Sequence, residues 1–128
     1  MKPDDVQTFE KLNAQIEALH SEIGALSKKS PNDALNKFKL TLINGLIREA
    51  NALLTGDYKP LQGFELFSED DIPTNSDVTM VLAQYLNCLE KLRADNIQQK
   101  EYSVRWYWII NKRVSNIETA PPRKLREK

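Results

Sequence analysis

Tyr102-Ser103-Val104-Arg105-Trp106-Tyr107-Trp108-Ile109-Ile110 is the stretch on which the fold turns. The regular segments before it have helical spacing, whereas this run alternates. Tyr102, Val104, Trp106, Trp108 and Ile110 share one parity, Ser103, Arg105, Tyr107 and Ile109 the other, and nearly all are strand formers. Asn111-Lys112 can turn, and Arg113 to Thr119 offers a returning strand before Ala120-Pro121-Pro122. A helical reading through Trp106, Ile109, Ile110, Val114 and Ile117 stays open beside the favoured hairpin. Two strands are not stable alone, so the hairpin must pack on helices or extend a sheet across subunits. Two tryptophans on one parity predict that this face is buried, which turns Arg105 and Tyr107 outward.

Upstream, Phe9, Leu12, Ile16, Leu19, Ile23 and Leu26 alternate spacings of three and four, the mark of a helix with one apolar seam. As heptads, Phe9, Ile16 and Ile23 take position a and three leucines take d, the preference of a parallel two-stranded coiled coil. The flanking positions carry almost no opposite charges, and the seam is under three heptads long. An amphipathic helix packed on its own domain is therefore the main expectation, and a homodimer seam through these six residues the alternative.

Ser30-Pro31-Asn32-Asp33 predicts the start of a second helix, with Ser30 as cap and Pro31 at the first helical position. Its apolar residues run from Leu35 and Phe38 through Leu42, Ile43, Leu46 and Ile47 to Leu54. So broad a stripe implies a central helix contacted from two sides. Gly45 in its middle lowers helix propensity by about 1 kcal/mol, which implies close approach of another element. Thr55-Gly56 ends it. Ser76 is the expected cap of a third helix with Val78, Val81, Leu82, Tyr85, Cys88, Leu89 and Leu92 on its buried face, fraying near Asp95 to Gln99. Between helices two and three, Pro60, Gly63 and Pro73 exclude a long helix, yet Leu61, Phe64, Leu66, Phe67 and Ile72 are too apolar for a free linker. An ordered connector results, with one helical turn capped by Ser68.

The fold class is thus mainly α: a three-helix antiparallel bundle with an ordered acidic connector and a small C-terminal β-hairpin. Residues 1–120 form one domain, and 121–128 a basic flexible tail. The size, 128 residues with 41% hydrophobic and 28% charged, suits one globular domain. The longest uncharged run, Val78 to Leu89, is twelve residues, against about 20 for a membrane span. An acidic start at Asp4-Asp5 is unlike a secretory signal, and a single cysteine favours a reducing compartment, so a cytoplasmic location is expected.

A net charge of zero conceals an uneven distribution. Residues 57–77 hold six anions and one cation, and residues 100–128 hold eight cations and three anions. Enzymatic constellations are scarce. His20 and Cys88 are the sole imidazole and thiol and fall on different helices, which supplies neither a Cys–His pair nor a zinc site. The glycines form no phosphate-binding fingerprint. No cofactor, metal site or catalytic residue is expected. The leading expectation is a non-catalytic protein–protein interaction module or small subunit of a larger assembly, its partner a protein and possibly itself. The alternative is a nucleic-acid-binding accessory protein using Arg105, Tyr107, Lys112, Arg113, Arg123, Lys124 and Arg126, whose cations would track phosphate while the aromatic ring stacks on bases.

Overall fold

The structure, a computed structural model, describes residues 1–126; Glu127 and Lys128, the end of the expected tail, lie outside the described residues. Helix α1 spans Pro3–Lys29, α2 Lys37–Leu53 and α3 Asn75–Ala94, with one 3-10 turn at Gly56–Tyr58. A three-stranded antiparallel sheet follows, β1 (Ile97–Gln99), β2 (Trp106–Ile110) and β3 (Arg113–Thr119), in the order β1-β2-β3. The chain is mainly α, and α1 packs on both α2 and α3.

The alternation of the aromatic run is realised. Trp108 is fully buried, while Trp106 and Ile110 pack against the same core from partly buried positions. Asn111 and Lys112 take φ of 52° and 67°, the double left-handed turn of a two-residue hairpin. The hairpin expectation is nonetheless too small. Ile97–Gln99, expected to fray, pairs with β2 through Ile97 opposite Trp108, and Ile97 is buried. A third strand forms because burying Ile97 beside Trp108 outweighs continuing the helix past Asp95.

Two helix starts differ from expectation. Ser30 closes α1 instead of opening α2, and Asn36 caps α2, accepting from the Lys39 N–H at 3.2 Å. Residues 30–35 form a turn and a single bridge, Ala34 with Thr74, held against the start of α3. The buried Asn75 side chain donates to the Ser30 carbonyl, Leu35 N–H donates to the Pro73 carbonyl, and Asn75 N–H to that of Asp33. These tertiary bonds override a local capping signal. On α3 the cap is Thr74, not Ser76, in a reciprocal capping box with Asp77.

The connector is ordered as expected. Phe64 and Phe67 meet edge to face at 5.0 Å and pack on the core. The buried Asn44 side chain satisfies both backbone groups of Phe67, donating to its carbonyl and accepting from its N–H at 3.0 Å each. Ser68 accepts from the Asp70 and Asp71 N–H groups, but no helical turn forms there.

The segment 121–126, expected as part of a flexible tail, runs back along the helices. Arg126 exchanges backbone bonds with the Asn87 side chain at 2.8 and 3.0 Å, and the Arg123 N–H donates to Glu90 at 2.8 Å. Beneath it lies Arg93, 4% exposed. Its guanidinium grips Glu90 with two bonds of 2.9 and 2.8 Å, and donates to Thr119 Oγ1 and to the carbonyls of Ala120 and Pro121. One buried cation thus joins α3 to the end of β3. Removing one partner of such a pair leaves an uncompensated charge. Arg93→Met should cost about 3–5 kcal/mol in urea unfolding; a loss below about 1 kcal/mol would mean that the pair is replaced by water.

Candidate docking groove

The six residues of the α1 seam have their partners inside this chain. Phe9, Leu12, Ile16 and Ile23 are buried in the single chain, and Leu19 is partly buried against the core. Leu26 is the exception, at 37% exposure. A dimer seam through these six residues is therefore corrected to an internal core, because four of them have no surface left to offer.

Helix α2 carries the unexplained apolar surface. Its expected central position falls to α1, and its outer stripe stays uncovered, with Phe38 72% and Leu42 47% exposed. A groove of about 670 Å³ runs between this face and α1, lined by Ala18 and Leu19 on one side and Leu42, Gly45 and Leu46 on the other. Gln15, Thr41, Arg48 and Glu49 supply its polar rim. The close approach expected at Gly45 does not occur within the chain, since a Cβ built there meets no atom within 4 Å. A mid-helix glycine lowers helix stability by about 1 kcal/mol relative to alanine, and packing inside the chain gives no reason for it.

The basic and aromatic residues singled out from sequence do not form one surface. Arg105 lies 3.5 Å from Glu118 on the outer face of the sheet. Lys100 sits over the Tyr107 ring, 4.2 Å from its centroid, and donates to Asn116 at 2.6 Å, so that ring face is already covered. Lys112 and Arg113 are exposed at the other end of the hairpin. Arg123 and Lys124 follow the tail, and the Arg126 side chain pairs with Glu17 of α1. The tail's acidic contacts are thus Glu17 and Glu90 on the helices. A second exposed apolar group lies on the sheet: Tyr102, at φ 62°, and Val104 in the β1–β2 loop, with Ile117 on β3. Ile117 projects because Ser115, Asn116 and Ile117 stand opposite the single residue Trp108 in a bulge.

Burial is the leading cause of the shifts at Cys88, Tyr85 and His20. Burial pushes the Cys88 thiol up, with Lys91 pulling partly the other way, which holds it protonated and weakly nucleophilic. Burial pushes Tyr85 up to about 12, despite the hydrogen bond that it donates to Asn51. His20 is held below its ordinary value, first by burial, then by Arg126, with Glu17 opposing. Among the described residues, no three His, Cys, Asp or Glu side chains gather to hold a metal ion. No described helix is long and apolar enough to cross a membrane. No protein-family model, curated protein or solved structure matches the chain.

The sequence signals for the groove were the breadth of the α2 stripe and Gly45; which side of the stripe stays bare depends on how α1 packs. The His20 environment supplies a check on the docked tail. A lowered histidine pKa stabilises the fold above pH 6.5 and loses that contribution as pH falls through the folded value. Arg126→Ala should raise the His20 pKa, followed by its ring proton resonances, and so shrink the loss of stability and end it at a higher pH. An unchanged His20 titration would mean that the Arg126 charge does not reach the ring.

Proposed function

We propose that the chain is a non-catalytic protein–protein interaction module, a small subunit that docks a partner helix in the groove between α1 and α2. One observation carries this: α2 presents Phe38 and Leu42 to solvent beside an open Gly45. Helix-in-groove recognition uses anchors at helical spacings against an apolar channel, and the groove offers Leu19, Leu42 and Leu46 as its walls. The proposal takes the three helices as a bundle with α1 between the other two, in a cytoplasmic setting that keeps Cys88 reduced. A non-catalytic role accords with the protonated thiol of Cys88 and its separation from His20 on another helix. Nucleic-acid binding through Arg105, Tyr107 and the tail ranks second, because Glu118, Lys100 and Glu17 already engage three of those side chains.

Exposed positions can be changed without unfolding the chain, which makes the groove directly testable. A photo-crosslinking residue at Leu42, irradiated in the native cells, should give one discrete protein adduct, whereas the same residue at Tyr102 should give none. Adducts only from Tyr102 would move the docking surface to the sheet. Protein adducts from neither site would contradict a docking role.

A further inference from the structure

We propose that the occupant of the groove is α2 of a second copy of this chain, lying antiparallel across Gly45 about a two-fold axis. This rests on the docking role proposed above and names its partner. The α2 stripe is large at one end and small at the other. In an antiparallel pair centred on Gly45, Phe38, seven residues before it, falls opposite Ala52, seven residues after it. Both are exposed, so the bulky side chain of each copy meets the small one of the other, twice. Leu42, three residues before Gly45, falls opposite the aliphatic stem of Arg48, three after it. The crossing point then has no side chain on either helix, which lets the backbones approach closely, and the openness at Gly45 acquires a purpose.

Charge favours the same arrangement. The first turn of α2 contains Lys37 and Lys39 and no acidic residue; Lys39 lies 3.6 Å from Glu22 of α1, so Lys37 is the cation open to a partner at the positive end of the helix dipole. Antiparallel pairing sets Glu49 of each copy opposite Thr41 of the other, which donates to Glu69, and one turn from that copy's Lys37. A parallel pair would bring the lysines together and separate them from Glu49.

The test is sedimentation equilibrium of the whole chain from micromolar to about 500 µM, with variants that act in opposite directions on fold and association. The wild type should reach twice 14.7 kDa. Gly45→Gln should raise thermal stability at low concentration, because it restores helix propensity, yet weaken self-association by at least about tenfold. In a Cys88→Ala background, a mixture of Phe38→Cys and Ala52→Cys chains should oxidise to disulfides between the two variants. Disulfides joining two Phe38→Cys chains would show parallel packing and overturn the arrangement. A wild type monomeric at 500 µM overturns self-pairing; a heavier adduct of another mass from Leu42 would then keep the docking role with a different partner helix. Association untouched by Gly45→Gln overturns the proposed surface.

Discussion

Trp108 of β2 is fully buried, its ring edge-on to Phe9 of α1 at 5.1 Å, and its indole N–H donates to Glu10 at 2.9 Å. Placing a side chain of this size in the interior removes some 200 Å² from water, worth about 4–6 kcal/mol before the entropy of ordering it. The sheet cannot stand alone, so this anchor decides where it goes. With Trp108 against Phe9, Ile97 has a buried partner on β1, and β3 lies where Arg93 can collect Thr119, Ala120 and Pro121.

That placement allocates the helix surfaces. The seam of α1 is shared between α3, α2 and the sheet, which buries Phe9, Leu12, Ile16 and Ile23 and leaves Leu19 and Leu26 partly open. The inner face of α2 goes to the core through Leu40, Ile43, Ile47 and Ala50, and its buried Asn44 fastens the connector. On the outer face of α2, Thr41 donates to Glu69 of the connector, while Phe38 and Leu42 stay exposed. Phe38, Leu42 and the open Gly45 form one of the exposed apolar groups, another lying on the sheet at Tyr102, Val104 and Ile117. On the outer face of the sheet, Lys100 covers Tyr107 and Arg105 lies near Glu118, while Tyr102, Val104 and Ile117 stay exposed.

Much of this was legible in the sequence wherever side-chain period decides the outcome. The aromatic run alternates with strand parity, the α1 seam has the right residues, and the connector phenylalanines had to be buried. What was not legible depended on contacts between distant segments. Ser30-Pro31 looks like a helix start, yet Asn75, 45 residues from Ser30, holds that backbone in a non-helical turn. Ile97 reads as the frayed end of a helix until Trp108 is placed beside it. Likewise, heptad spacing cannot distinguish a seam that meets another chain from one that meets α3. The breadth of the α2 stripe and the presence of Gly45 were both visible, but the inference that neighbours in the same chain explain them was wrong for the outer side. An apolar stripe wider than the fold can use is information about a partner, and it shows only after the intramolecular contacts are known.

The central claim is that the outer face of α2 is the surface this chain uses. Methyl resonances of Leu19, Leu42 and Leu46, followed through a dilution series of the intact protein, report on it most directly. Self-pairing through α2 requires these three to shift together with concentration while Val104 and Ile117 on the sheet stay fixed. Concentration-dependent shifts at Val104 and Ile117 with Leu42 unmoved would contradict it.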